Sequence, residues 1–311
     1  MIMIVTKSSN IKYSICSLCR DASSVSHLSC IVRDIFPGES ELLMIDNSSG
    51  EWDCYSAIRY FVRVAQGDLI VIIHDDVEFG TLPASLLLDQ IQEITIKDET
   101  AVLFGIAGIS NKDQRGIGHF YDACGEQLWG GRYEDHVSSL DECFLVIKRG
   151  MGLIVSEGLN GYHFYGTDLC LNAMEAKLSC HVIDYPLIHK SAGSINENFF
   201  EARDRFGVHL ENQGVDRFVR TTCTVLYGGK SRLKHCLALA LSHILLETPR
   251  HRDYDLASRC IINRGIARYG WFWFSLMILI CRLHSRWHRL FNDMMWWTQN
   301  WRDQLNVKVI H

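Results

Sequence analysis

The stretch Gly67-Asp68-Leu69-Ile70-Val71-Ile72-Ile73-His74-Asp75-Asp76 decides the architecture. Asp68 leads into a continuous apolar run of the kind buried on both faces of a sheet. The run stops abruptly on an imidazole and two carboxylates. Acidic side chains at the end of a buried strand cost free energy unless something compensates them. A divalent cation does this through oxygen and imidazole donors. A solvated strand-to-loop turn, where Asp is common, does it without one.

Outward from this strand the same alternation repeats. Upstream, Tyr13 to Ser17 and Glu41 to Asp46 read as buried strands, each followed by polar turn residues. Tyr55 to Gln66 places Ile58, Phe61, Val62 and Ala65 at helical spacing, with Gly67 expected as a C′ glycine. Downstream, Leu86 to Ile94 predicts a helix, Ala101 to Ile109 a strand, and Cys143 to Ile147 another. Asp168 to Lys177 predicts a helix that packs through Leu169, Cys170, Leu171 and Met174, and His181 to Asp184 a last strand. Strand and helix in alternation imply an α/β fold, with a mostly parallel sheet covered by helices on both faces. Ligands in such sheets bind outside the carboxyl ends of the strands.

Composition narrows the class. A chain of 311 residues, 48% hydrophobic and 22% charged, is globular and excludes a disordered or collagen-like polymer. Only 4 Pro argue against a string of modules. The 12 Cys lie scattered through apolar runs in a chain long enough to bury a core, which argues against a disulfide scaffold. Cys16 and Cys19 form a lone CxxC without the second pair of a zinc ribbon. No signal peptide is evident, so a reducing cytosol is expected. The net charge of −5 divides unevenly: from Lys230 onward 13 Lys and Arg face 5 Asp and Glu, so this segment carries +8 and the rest −13. Six of the 8 Trp also lie beyond Tyr269.

From Leu42 to Asp76, "LLMIDNSSG … AIRYFVRVAQGDLIVIIHDD" resembles the nucleotide-binding half of family 2 glycosyltransferases with the GT-A fold. That family shows a strand ending in Asp, a Ser- and Gly-containing turn, and a later strand ending in a D-x-D motif. The version "IIHDDV" looks most like the glycosyltransferase-like family named for a streptomycin-biosynthesis protein. The blocks "LDECFLVIKR", "GYHFYGTDLCLNAMEAK" and "VIDYPLIHKSAGS" agree in order and spacing, so the resemblance spans Ile15 to Ser194.

The resemblance implies roles for particular residues. Asp46 falls where the family contacts the nucleoside, and Ser17 and Arg20 where it holds the base and diphosphate. Asp76 matches the metal-binding Asp, His74 replaces the first Asp of the motif, and Asp75 is its middle position. His189 stands where many such enzymes have a further metal or diphosphate ligand, followed by Gly193 and Ser194, whose N–H groups can cradle phosphate. An inverting transferase also needs a carboxylate within hydrogen-bond reach of the acceptor hydroxyl. Relatives carry a Glu-Asp pair ahead of the "DLCL" helix, where this chain has Tyr165 and Gly166. Asp168 is the first candidate base, although a carboxylate there also serves simply to stabilise the helix dipole. Asp141 and Glu142 are the second candidates.

In the tail, Leu276, Ile280, Leu283, Trp287, Leu290, Met294, Trp297 and Trp301 recur at spacings of four and three, with Arg282, Arg286 and Arg289 on another face. The apolar stretch from Trp271 to Cys281 falls short of the ~20 residues that span a bilayer. Such a helix lies in a membrane interface, or packs on the catalytic domain or across a dimer. The full expectation is a GT-A domain over residues 1–215 and a basic, Trp-rich helical region over 216–311. Its implied activity is inverting transfer of a hexosyl-like sugar from a nucleoside-diphosphate sugar to a glycan or lipid-linked acceptor. The implied cofactor is Mn²⁺ or Mg²⁺. No nucleic-acid partner is expected, and the location is cytoplasmic, with peripheral contact at the inner face of the cell membrane. The rival from another class is a non-catalytic sugar-nucleotide-binding or scaffold relative that lost its base. A nucleotidyltransferase would carry a Gly-rich phosphate loop after the first strand, and "SICSLCRDASS" has no glycine.

Overall fold

The computed structural model describes residues 2–6, 11–36, 39–80, 82–122, 125–129, 136–191, 195–246 and 254–285. Its first part holds β1 (Ile2–Thr6), β2 (Tyr13–Cys19), α1 (Ala22–Ile35), β3 (Ser40–Asp46), α2 (Cys54–Val64) and β4 (Leu69–Ile73). Next come β5 (Val77–Phe79), α3 (Ala84–Lys97), β6 (Ala101–Gly105), β7 (Ala107–Ser110), β8 (Gly116–Asp122), β9 (Gly125–Trp129) and β10 (Val137–Leu140). These lead to β11 (Phe144–Lys148), α4 (Tyr165–Glu175), β12 (Ser179–Val182), β13 (Leu187–His189) and α5 (Glu197–Asn212). The last elements are β14 (Phe218–Arg220), β15 (Val225–Tyr227), α6 (Arg232–Leu246), α7 (Tyr254–Tyr269) and α8 (Trp271–Ser285).

The main sheet has the order β1-β3-β2-β4-β11-β6-β12. Five of its seven strands run one way, and β1 and β11 are reversed. Its apolar runs are continuous because alternate residues feed two cores. Ile70 and Ile72 of β4 pack into the cluster with Ile58, Phe61 and Leu169, while Val71 and Ile73 face Val25, Leu28, Leu87 and Ile91. Helices α2 and α4 therefore cover one face, and α1 and α3 the other, as the α/β reading requires. Each fully buried side chain of this kind contributes about 1.5–3 kcal/mol.

Two local expectations change. The run from Ala101 to Ile109 is two strands, β6 in the main sheet and β7 in a second, six-stranded sheet of order β10-β7-β8-β13-β5 with β9 on β8. The chain steps between sheets at Ile106, where apolar continuity persists because both strands are buried. Gly67 is not a left-handed cap: α2 ends at Val64 with Ala65 as its C-cap, and Gly67 is needed because a Cβ there would lie 2.6 Å from the Ser14 nitrogen. The start of α2 is fixed instead by a capping box between Asp53 and Ser56.

Helices α6, α7 and α8 pack on one another, and Leu239, Ile261 and Phe274 join the core cluster that holds Phe199 and Phe206 of α5. Of the tail residues, Arg286, Trp287, Arg289, Leu290, Met294, Trp297 and Trp301 lie outside the described residues.

Candidate metal and nucleotide site

The carboxyl ends of β2, β3 and β4 place Arg20, Asp46 and His74 along one edge of the main sheet. Because β11 is antiparallel to β4, its beginning brings Asp141 and Glu142 to the same edge. The chain continues from β4 through Asp75 and Asp76 directly into β5, which pairs with β13 so that Val77 faces His189. This register sets His189 Nε2 3.2 Å from Asp76 Oδ1. Donor atoms of His74, Asp76 and His189 all lie within 4.8 Å of one another.

The surrounding bonds orient this triad. Arg20 forks onto Asp75, with Nη2 2.7 Å from Oδ1 and Nε 3.0 Å from Oδ2, while its backbone N–H donates to Oδ2 at 2.8 Å. The same Nη2 lies 3.3 Å from Asp76 Oδ2. His74 Nε2 is 2.6 Å from the Tyr165 hydroxyl, which donates to the Glu142 carbonyl at 3.0 Å. With its proton committed there, the hydroxyl accepts from His74 Nε2–H, leaving Nδ1 as the ring's lone pair.

Burial and the neighbouring His189 lower the pKa of His74, which favours the neutral ring a metal needs. Burial would lower His189 too, but the contact with Asp76 and the charge of Asp141 outweigh it, and its pKa rises. Burial also acts to raise Asp76, yet the bonds from His189 and Ser191 hold its carboxyl well below the usual range. Two imidazoles and a carboxylate at the edge of a sheet fit a divalent cation.

Glu142 and Asp168 occupy different settings. The Glu142 Oε1 accepts the Gly166 N–H at 3.3 Å, at the start of α4. Loss of hydration, then the adjacent Asp141, push its pKa well above the ordinary carboxylate range. Asp141 accepts from the Cys143 N–H at 3.1 Å and from Thr222 at 3.4 Å. Asp168 is 2% exposed, and both its oxygens are taken by Ser156, from the N–H at 2.7 Å and from Oγ at 2.6 Å. Burial raises its pKa more than these bonds lower it. Asp168 thus ties α4 to the 150s loop, apart from the triad.

The remaining expected residues lie along the edge. Asp46 is half-buried at the end of β3 and accepts the Ser48 N–H at 3.0 Å, a bond that lowers its pKa. Ser17 is fully buried on β2, opposite Met44, and its hydroxyl has no partner among the described residues. Gly193 and Ser194 lie outside the described residues.

Sequence reasoning missed Tyr165 as an orienting residue. Its signal is conformational: Phe164, just ahead of it, holds φ of +72° although it is not glycine. This costs on the order of 1–3 kcal/mol and starts α4 at the angle that aims Tyr165 at His74. The Phe164 ring, stacked on Phe206 at 5.3 Å, holds that turn in place. His163 was also missed; burial and the nearby His74 push its pKa down to about 4.

No family model matches the chain, and the likeness to the streptomycin-type family stays a resemblance. The chain is 29% identical over 203 residues to "ATP synthase subunits region ORF 6" of Fuscovulum blasticum, covering 63% of this chain and 82% of that protein. Among solved structures it is similar to the mannosyltransferase PcManGT from Pyrobaculum calidifontis in complex with GDP-Man and Mn²⁺, with 9% identity and a TM-score of 0.42, over 93% of this chain and 85% of that one. It is also similar to S. aureus TarS 1-349 in complex with UDP-GlcNAc, with 10% identity and a TM-score of 0.44, over 83% and 81% of the two chains. With TM-scores below one half, these likenesses carry no functional role over to this chain, and any role rests on its own residues.

Proposed function

We propose that the protein is a glycosyltransferase that takes a sugar from a nucleoside-diphosphate donor, with inversion, onto a hydroxyl acceptor. The observation that carries this reading is the His74–Asp76–His189 cluster at the carboxyl edge of β4, flanked by Arg20 and by the paired carboxylates Asp141 and Glu142. A divalent cation held there by His74, Asp76 and His189 would supply positive charge to the diphosphate leaving group. Arg20, 61% exposed in its side chain, keeps N–H groups available for the donor's phosphates while Asp75 fixes its position. Asp46, half-buried at the carboxyl end of β3, would meet the nucleoside, while Ser17, fully buried on β2, would act only from behind it.

For the base we favour Glu142. A carboxylate with a raised pKa is a stronger proton acceptor than an ordinary one, and catalytic bases work best near the operating pH. Relatives of the resembled family carry their acidic pair ahead of the "DLCL" helix. Here Glu142 reaches that helix start from β11, and a Cβ on Gly166 would lie 3.2 Å from its Cγ. Asp141 keeps the Glu142 pKa high. Asp168 is assigned to holding the 150s loop.

The acceptor we infer is lipid-linked, because α8 presents an apolar stripe to solvent. Phe272, Trp273, Leu279, Ile280 and Leu283 are each at least half exposed along this helix. They belong to the segment with a charge of +8, which complements anionic lipid. Among the described residues no helix is long and apolar enough to cross a membrane. Residues 1–215 would then carry transfer and α8 docking, with Thr222 of the 216–311 part still bonded to Asp141.

The decisive experiment is a thermal-shift screen of nucleoside-diphosphate sugars with and without Mn²⁺, followed by donor hydrolysis measurements. Stabilisation by one nucleotide class that grows with metal, together with slow release of the nucleoside diphosphate, supports the reading. Binding without any turnover would favour the scaffold role, and silence throughout would remove the nucleotide site.

A further inference from the structure

A second set of side chains converges at the opposite edge of the main sheet, where β6 and β12 begin. Asp98 closes α3, His181 lies on β12, and His136 immediately precedes β10. Their donor atoms lie within 4.8 Å of one another. His181 Nε2 is 3.1 Å and His136 Nε2 3.2 Å from the same oxygen, Asp98 Oδ2. The Ser179 hydroxyl is 2.5 Å from that oxygen and 3.0 Å from His181 Nε2.

Hydrogen bonds alone leave this carboxylate crowded. Three groups crowd one carboxylate oxygen, which has two lone pairs. The other oxygen is already used by the Thr100 N–H at 2.9 Å and its hydroxyl at 2.6 Å. The Ser179 hydroxyl donates to Oδ2 and its oxygen accepts from His181 Nε2–H, so the hydrogen-bonded form gathers a hydroxyl and two imidazoles around one oxygen. A cation between these groups relieves the crowding, because both nitrogens then offer it lone pairs. Ligands at ~2.0–2.2 Å from a tetrahedral zinc stand roughly 3.2–3.5 Å apart, close to the spacing of the two imidazoles from Oδ2.

We propose that Asp98, His136 and His181 form a structural Zn²⁺ site, with the Ser179 hydroxyl beside the fourth position. The His181 ring is 3% exposed and stacks on Phe104 at 6.1 Å, which fixes its direction. The His136 ring meets His181 edge-on at 4.9 Å. Zinc here joins the entry of β10 to β6, β12 and the end of α3. Strand β10 leads from this point directly to Asp141 and Glu142, so the ion anchors the strand that delivers them. The site shares no residue with the His74 triad, and its existence does not depend on the proposed transfer reaction.

The test is a zinc titration of tag-free protein in which the exposed Cys30 is replaced by Ser, read by bound metal after dialysis and by melting. In a background carrying Asp76→Ala and His189→Ala, one equivalent of Zn²⁺ is expected to remain bound. It should raise Tm by roughly 3–8 °C at saturation. His136→Gln should remove both the ion and the shift. His136 is exposed, so this change leaves the core intact. Substituted Co²⁺ should give the visible absorption of a tetrahedral site, also lost in His136→Gln. The same variant in the otherwise native chain should bind one equivalent fewer than its parent, which keeps the test valid if the background folds poorly. Zinc binding by neither parent, or binding unchanged by His136→Gln in both, would overturn the proposal.

Discussion

The hydroxyl oxygen of Tyr165 lies 2.6 Å from Nε2 of His74. One phenol therefore couples the first turn of α4 to the end of β4, and through the Glu142 carbonyl to the start of β11. Partners of this kind fix a ligand's tautomer and orientation, and their loss typically costs about 10–100-fold in metal affinity. Tyr165→Phe keeps the buried ring and removes only the oxygen. Mn²⁺ affinity, measured by the spin-resonance signal of free metal, should fall by at least ~10-fold with little change in Tm. An unchanged affinity would mean that His74 is not a ligand.

Asp76 sits between His189 and Arg20 at a sheet edge, where its charge serves a ligand and the core does not need it. Asp76→Asn preserves shape and removes the charge. Transfer should fall by at least ~10²-fold, the scale for losing one preorganised electrostatic contribution. Donor stabilisation by Mn²⁺ should vanish while the melting curve of the free protein stays within a few degrees. Near-full turnover at saturating metal would remove the motif from the mechanism.

Glu142 has a distinctive pH signature. Its folded pKa is raised by burial and by Asp141, so the folded state holds this proton more tightly than the unfolded chain. The stability it contributes is fully present below its unfolded pKa of ~4.3 and is lost as pH rises through the folded value. Activity runs the other way, since a base must be ionised: kcat/KM should climb as pH rises through that same value. Glu142→Gln should cut turnover by at least ~10²-fold, spare donor binding, and flatten that part of the stability profile. If Asp141→Asn is inactive while Glu142→Gln turns over normally, the base is Asp141.

Asp168 should behave as a structural residue. Asp168→Asn places an amide where both oxygens receive bonds from Ser156, leaving a buried donor unmatched at a cost of about 1–3 kcal/mol. The melting temperature should drop by several degrees with kcat changed less than threefold. A loss of turnover beyond ~10²-fold at an unchanged Tm would return Asp168 to the role of base.

Legibility in the sequence followed the range of the interactions. Strands β2, β3 and β4 were plain because burial on both faces leaves a continuous apolar run, and His74 to Asp76 stood out as its polar end. The second sheet was not, since β8 alternates buried and half-exposed residues without a clear period and β5 and β13 have three residues each. His189 was placed by its motif, but its contact with Asp76 depends on the β5–β13 register, which no local pattern encodes. Tyr165 read as a missing acid because its partners, His74 and Glu142, come from other strands. Asp98, His136 and His181 were invisible for the same reason: one ends a helix, one precedes a strand and one lies within a strand, and only the sheet brings them together.

The exposed stripe of α8 tests where the protein works. Phe272, Leu279 and Leu283 recur at spacings of seven and four, and Trp273 and Ile280 at seven, so all five share one side of the helix. Phe274 and Cys281 point inward and are buried, which anchors α8 to α6 and α7 and leaves the stripe facing outward. Trp favours the headgroup region, and each nearby basic residue adds about 1 kcal/mol of attraction to anionic lipid. The protein should therefore sediment with phosphatidylglycerol vesicles at low salt and be partly released as salt rises, because screening weakens the basic contribution and leaves the apolar one. Phe272→Ser with Ile280→Ser and Leu283→Ser should lower vesicle binding at least ~10-fold. These positions are exposed, so Tm should hold and donor binding should persist. Binding that survives the triple substitution would place the lipid contact elsewhere. Binding absent from the unaltered chain, coupled with self-association lost in the triple variant, would make the stripe an interface between two copies.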